Sequence, residues 1–182
     1  LKWTYYQLGI DDFTSAIATD GGRGYNDYAR CGRGICYFHL GEYDKSYSDL
    51  PSESDLPSVS KVDMLKEYLD NGEVSYYRGI AASKTFGLVL GARSIAESLS
   101  NALDLNPGLF GTDGYYALGS ACERLKQFQE AIGSYTNAIA EDANFTDAFF
   151  GRGNCRRQLG DFTGAIDDYT EVIKRDHKLP GS

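Results

Sequence analysis

Residues 115–145 read YYALGSACERLKQFQEAIGSYTNAIAEDANF, and residues 149–179 read FFGRGNCRRQLGDFTGAIDDYTEVIKRDHKL. The two stretches share a glycine, a phenylalanine, an Ala-Ile pair and a Tyr-Thr pair, each 34 positions apart. Self-similarity at a fixed period of roughly 20 to 50 residues is typical of repeat architectures. The apolar spacing in each stretch fits two amphipathic helices separated by a short polar turn. The sequence therefore predicts stacked helix pairs.

The repeated pattern resembles that of the tetratricopeptide repeat family, which asks for an aromatic, Leu-Gly, a second aromatic, and an alanine with an aromatic four residues on. The first stretch matches it with Tyr115, Leu118, Gly119, Ala131 and Tyr135, and the second repeats it with Phe149, Gly153, Ala165 and Tyr169. Small residues let two helices approach closely, and an aromatic ring fills the space beside them. The resemblance implies an all-α, right-handed superhelical solenoid of antiparallel helix pairs.

The resemblance extends upstream with less regular spacing. It implies about five units, the first truncated at its start, at about residues 1–24, 27–57, 73–107, 112–145 and 146–179. The first unit is placed by matching Phe13–Ile17 to Phe162–Ile166, and the third has about one extra helical turn after Gly79. A loop and an amphipathic helix over 51–72 are expected as an insertion. The whole chain is expected to be a single domain cut from a longer protein.

Composition narrows the classes of partner and chemistry. The net charge is −8 and the sequence pI is about 4.7, which disfavours nucleic acid and anionic membranes as partners. The four cysteines form no CxxC pair, and the two histidines complete neither a metal-ligand set nor a catalytic triad. We therefore expect a cytoplasmic protein that is not an enzyme and needs no cofactor or metal.

Charged residues 16 positions apart suggest a bridge within single units. Arg33 is followed at this distance by Asp49, and Arg152 by Asp168. We expect these pairs to tie the two helices of a unit together, the alternative being a row of arginines that binds an anion. Arg78 reaches only Ser94 at this distance, so it is expected to be the arginine without an internal partner.

In the family, the first helices of successive units line a concave groove that binds an extended peptide or a partner helix. Mapped through the aligned glycines, the groove here is expected to carry Phe38, His39, Tyr76, Ile80, Lys84, Tyr116, Ser120, Arg124, Phe150, Asn154, Arg157 and Gln158. The basic end, at Arg124 and Arg157, suits a carboxylate or an acidic stretch, and the aromatic middle suits apolar side chains.

The resemblance therefore implies a non-catalytic module or scaffold that binds a protein or peptide partner in this groove. The alternative is a structural component of a larger complex that self-associates through exposed repeat ends. A regulatory domain attached to an enzyme is a third possibility that the sequence leaves open.

Overall fold

The computed structural model describes residues 2–19, 26–51, 72–85 and 91–176. These residues form nine α-helices, one short 3-10 helix and no strand. The helices are α1 (Lys2–Thr19), α2 (Asn26–His39), α3 (Tyr43–Asp49), α4 (Glu73–Thr85), α5 (Ala92–Leu105), α6 (Thr112–Arg124), α7 (Phe128–Glu141), α8 (Thr146–Gln158) and α9 (Phe162–Asp176); the 3-10 helix is Pro107–Leu109. The all-α prediction is thus confirmed for the described residues. The helix expected over 58–71 lies outside them.

The chain divides into two compact units. The N-terminal unit lies within residues 1–87 and 97–109, and the C-terminal unit within 88–96 and 110–182. In the N-terminal unit, α1 packs on α2, α2 on α3, and α3 on α4. In the C-terminal unit, α6 packs on α7, α7 on α8 and α8 on α9, and α6 also contacts α8. Short turns join α6 to α7 and α7 to α8, so α6 and α8 run in the same direction.

Within a repeat, the two helices meet where a glycine faces a larger side chain that follows it by 16 residues. A Cβ on Gly119 would lie 2.8 Å from the Tyr135 ring, and one on Gly153 would lie 2.7 Å from the Tyr169 ring. Gly34 meets Leu50 in the same way, at 2.9 Å. These approaches are closer than ordinary van der Waals contact, so the glycine is what lets the helices meet.

The repeat that contains Gly79 has the extra helical turn that was predicted after this glycine. A Cβ on Gly79 would lie 2.6 Å from Leu99, which follows it by 20 residues instead of 16. Four more residues are about one turn of α-helix, so the packing partner still faces the glycine.

The contacts give α1 a different register from the one predicted. Gly32 meets the Phe13 ring as Gly151 meets the Tyr135 ring, and Arg33 donates to the Thr14 hydroxyl (3.2 Å) as Arg152 donates to the Thr136 hydroxyl (3.1 Å). Phe13 therefore corresponds to Tyr135 and Tyr169, and the match to Phe162 was wrong by seven residues. Seven residues are nearly two helical turns, so both registers put the apolar residues on similar faces.

The turn after the first helix of a repeat contains a residue in the left-handed conformation. Gly41 (φ +78°) and Gly160 (φ +83°) supply it in two repeats, and Lys126 (φ 62°) stands at the same place in a third. A side chain in this conformation costs about 1 kcal/mol or more, because its Cβ approaches the following carbonyl oxygen.

We predict that Lys126→Gly raises the free energy of unfolding by about 0.5–1 kcal/mol, since it removes this backbone strain. Urea denaturation followed by circular dichroism measures the change. Gly160→Ala is the matched control and should lower stability by about 1 kcal/mol. An equal or lower stability for Lys126→Gly would contradict the assignment of strain to this residue.

Candidate functional site

The C-terminal unit contains a groove between α6 and α8. Its volume is about 590 Å³. Its walls carry aromatic, polar and charged side chains, and the lining residues are Tyr116, Ser120, Glu123, Arg124, Lys126, Phe128, Tyr135, Asp147, Phe150, Gly151, Asn154 and Gln158. Six of the residues predicted for the partner-binding groove are therefore brought together here: Tyr116, Ser120, Arg124, Phe150, Asn154 and Gln158.

Tyr135 of α7 forms the floor of the groove. Its side chain is 1 % exposed, and its ring lies between Gly119 and Gly151. The hydroxyl donates to Glu123 Oε2 (2.7 Å) and lies 3.1 Å from the Ser120 hydroxyl. Burial is the main reason that the pKa of Tyr135 lies far above its usual range, so the hydroxyl stays protonated and continues to hold Glu123.

Aromatic side chains line the end of the groove formed by the first turns of α6 and α8. The Tyr116 ring stands edge-on to Phe145 at 5.1 Å and tilted to Tyr135 at 5.8 Å. Phe150 is 54 % exposed, although its ring lies 6.0 Å from that of Tyr169. An exposed aromatic beside a half-buried one offers apolar area to a partner that the unit itself does not use.

Arg157 does not line this groove, contrary to the prediction. It corresponds to Glu123 in the 34-residue period, and Glu123 lies on the side of α6 that faces α8. The same side of α8 faces away from α6, so Arg157 is exposed outside the groove.

The sequence analysis did not assign Lys126, Phe128, Tyr135, Asp147 or Gly151 to the groove. Asp147 lies one helical turn before Phe150 and Gly151, so helical periodicity alone would have placed it on the same face. Lys126 and Phe128 belong to the turn between α6 and α7. Their position depends on the path of that turn, which no periodicity predicts.

Phe38, His39 and Tyr76, three of the five predicted residues of the N-terminal unit, join an aromatic cluster. His39 stacks on Tyr6 at 4.6 Å and stands edge-on to Tyr77, while Phe38 lies 4.7 Å from Tyr77. Tyr76 lies edge-on to Tyr77 at 5.7 Å, and Lys84 is exposed. Ile80 is only 4 % exposed, so it belongs to the core and offers little surface to a partner.

The predicted bridges between the helices of a unit are present. Asp49 accepts two hydrogen bonds from Arg33, at 2.6 and 2.9 Å, and Asp168 accepts one of 2.7 Å from Arg152 Nη2. Arg156 adds a second ion pair to Asp168 at 2.8 Å, which the sequence did not suggest. These arginines are thus occupied within the fold, which argues against a row of arginines that binds an anion.

Arg78 is also engaged, so the prediction that it lacks an internal partner was wrong. It donates to the carbonyl oxygen of Leu50 and lies 4.3 Å from the Tyr47 ring. Pro51 stands where Thr136 stands in the later repeat, so no hydroxyl is available there. The carbonyl groups at the end of the short α3 take the arginine instead.

All four cysteines are free thiols in the core. Burial raises the pKa of Cys31 and of Cys155 to about 12, and it raises those of Cys36 and Cys122 as well. A thiol that stays protonated is a poor nucleophile and a poor metal ligand. Among the described residues, no group of three or more histidine, cysteine, aspartate and glutamate side chains is placed to hold a metal ion.

We expect the native protein to react slowly with iodoacetamide at pH 8 and all four thiols to react at once in guanidinium chloride. Both burial and the raised pKa values lower the thiolate fraction that reagents attack. Mass spectrometry after timed quenching counts the modified thiols. Rapid modification of Cys155 in the native protein would contradict this placement.

None of the described helices is both long and apolar enough to span a lipid bilayer.

Comparison with known proteins agrees with this geometry. The sequence model described as tetratricopeptide repeat matches residues 116–180. A search of curated proteins finds no match. Among solved structures, a crystal structure of MamA shares 18% identity over 95% of this chain and 90% of that chain, with a TM-score of 0.63.

Two further structures have the same fold. MamA 41-end from Desulfovibrio magneticus RS-1 shares 16% identity over 99% of this chain and 98% of its own, with a TM-score of 0.60. YrrB, described as a TPR protein with an unusual peptide-binding site, shares 16% identity over 98% of this chain and 86% of its own, with a TM-score of 0.64. The fold is thus that of a tetratricopeptide-type solenoid, and residues 116–180 match the sequence model of that repeat.

Proposed function

We propose that this chain is a non-catalytic interaction module whose C-terminal unit binds a peptide segment of a protein partner in the groove between α6 and α8. The observation that carries the proposal is the groove itself, about 590 Å³ in volume, with exposed Phe150 on one wall and Tyr116 on the other. A repeat fold of this type supports protein–protein interaction. The buried free thiols suit a reducing compartment such as the cytoplasm.

A matched pair of substitutions tests the proposal. Peptides selected from a random phage-displayed library against the immobilised chain are synthesised with a fluorescent label, and their binding is measured by anisotropy. Phe150→Ala should weaken binding about tenfold, because an aromatic anchor in a groove commonly contributes more than 1 kcal/mol. Phe162→Ala removes a phenylalanine of α9 that is also more than half exposed, and it should leave binding unchanged. Equal affinities for both variants would reject the groove as the binding surface.

A second candidate function is self-association, and exposed apolar side chains favour it. Trp3, Tyr5 and Leu8 of α1 are 67 %, 73 % and 60 % exposed, and Phe162 and Ile166 of α9 are both 64 % exposed. Phe162 and Ile166 are four residues apart, so they share one face of α9, and the equivalent residues of α7, Phe128 and Ile132, are more covered.

Sedimentation velocity over a wide range of protein concentration tests this candidate. Self-association through α9 should give a mass that rises with concentration and that returns to the monomer value in the Phe162→Ser, Ile166→Ser double variant. A constant monomer mass for the native chain would reject self-association.

A further inference from the structure

The charged residues of the groove are distributed unevenly along it. Arg124, Lys126 and Gln158 lie where α6 and α8 end, whereas Asp147 and Tyr116 lie near the beginnings of these helices. Glu123 directly precedes Arg124, and its carboxylate accepts the hydrogen bond of the Tyr135 hydroxyl. Because α6 and α8 run in the same direction, Asp147 in the first turn of α8 and Arg124 in the last turn of α6 place opposite charges at opposite ends of the groove. Each charge also complements the dipole of its helix.

The basic residues of the groove differ from most other basic residues of the unit in forming no ion pair. Residues 110–176 contain seven arginines and lysines, and four of them, Arg152, Arg156, Lys174 and Arg175, form ion pairs. The other three are Arg124 and Lys126 in the groove and Arg157 outside it, and none of these forms an ion pair with a residue that the structure describes. Asp147 also forms no ion pair with a residue that the structure describes.

The acidic end is also the aromatic end. Asp147 lies in the first turn of α8, three residues before Phe150, and its carboxylate adds to the raised pKa of the Tyr116 hydroxyl, which is due first to burial. Phe150 and Tyr116 line the same end of the groove as Asp147. A ring face next to an unpaired carboxylate suits an ammonium or guanidinium group, which gains both a cation–π contact and a charge-assisted hydrogen bond.

We propose that the groove selects an extended peptide with a basic side chain at the Tyr116, Asp147 and Phe150 end and an acidic side chain or terminal carboxylate at the Arg124 and Lys126 end. This inference rests on the proposed function and names the class of peptide. Tyr116 and Arg124 are eight residues apart on α6, or about 12 Å along the helix. An extended chain covers this distance in about four residues. The peptide should therefore carry its two opposite charges about four positions apart and in one order only.

The test uses the phage-displayed library and the 182-residue chain. Selected peptides should be enriched in a basic and an acidic residue about four positions apart, always in the same order. Synthetic peptides in which these two residues are exchanged should bind more weakly by about fivefold or more. The Asp147→Lys, Arg124→Glu, Lys126→Glu triple variant should prefer the exchanged order, because it reverses the charges at both ends.

Matched neutral variants separate the two ends. Asp147→Asn and Arg124→Gln should each weaken binding about two- to fivefold, as expected for one partly exposed ion pair. Asp167→Asn and Arg157→Gln alter exposed charges outside the groove and should have no such effect. Circular dichroism should show equal helicity in all variants.

The outcomes distinguish the two proposals. Selected peptides that bind through Phe150 but show no order of charge would overturn the inference and leave the proposed function standing. An absence of any peptide that depends on Phe150 would reject both. Enrichment of acidic residues alone, without a basic residue, would also overturn the inference, because the aromatic end would then not select a cation.

Discussion

Gly151→Ala is expected to lower the free energy of unfolding of the C-terminal unit by about 2–3 kcal/mol. A Cβ at this position would lie 2.5 Å from Cζ of Tyr135, and the opposite edge of that ring is already held by Gly119. The ring is 1 % exposed and cannot move toward solvent without breaking its hydrogen bonds to Glu123 and Ser120. Overpacking therefore outweighs the helix propensity gained when alanine replaces glycine. Urea denaturation followed by circular dichroism measures the loss.

Gly133→Ala is the matched control because it makes the same chemical change in α7, where a Cβ would meet nothing within 4 Å. It should raise stability by about 0.5–1 kcal/mol through helix propensity alone. Combining Gly151→Ala with Tyr135→Leu should cost less than the sum of the two single changes, since the smaller side chain leaves room for the methyl group. A Gly151→Ala variant as stable as Gly133→Ala would show that Tyr135 does not fill the space assigned to it.

Asp168→Asn is expected to destabilise the C-terminal unit by about 3 kcal/mol or more. Asp168 is 2 % exposed and receives hydrogen bonds from Arg152 and from Arg156. Removing the carboxylate charge leaves two partly buried guanidinium groups without their counter-ion, and Arg152 and Arg156 come from the helix that packs against α9. The change should therefore weaken the contact between α8 and α9 in particular. Hydrogen exchange of amides in α9 measures that effect separately from global unfolding.

The neighbouring Asp167→Asn substitution is the control for this prediction. Asp167 is exposed and forms no ion pair with any residue that the structure describes, so its neutral variant should stay within about 0.5 kcal/mol of the native stability. A small and equal effect of both substitutions would mean that the Asp168 bridge contributes little beyond what hydrogen bonds to asparagine can replace.

The regular repeats show how far the sequence reaches. Gly119, Gly153 and the aromatic residues 16 positions after them follow directly from the 34-residue period, and so do the bridges of Arg33 to Asp49 and of Arg152 to Asp168. These features depend on local spacing within one pair of helices, which a period fixes. Six of the groove residues could be predicted from the same period, since they occupy three equivalent positions of α6 and α8 that line the groove.

The errors of the sequence analysis have one cause in common, because each concerned a contact that crosses from one helix pair to the next. The register of α1 depends on which residue meets Gly32, and the partner of Arg78 depends on where α3 ends. The exclusion of Arg157 from the groove depends on which side of α8 faces α6. A shift of two helical turns preserves the amphipathic pattern, so periodicity cannot separate such alternatives.

The sequence by itself determined the helical repeats, the glycine positions where helices approach, and the ion pairs within a unit, because each is set by spacing along one short stretch of chain. Only the tertiary structure decided which further side chains join the groove and which basic residues there form no ion pair. Those properties depend on side chains from α6, on the turn after it and on α8, whose relative positions follow from the packing of Tyr135 between Gly119 and Gly151.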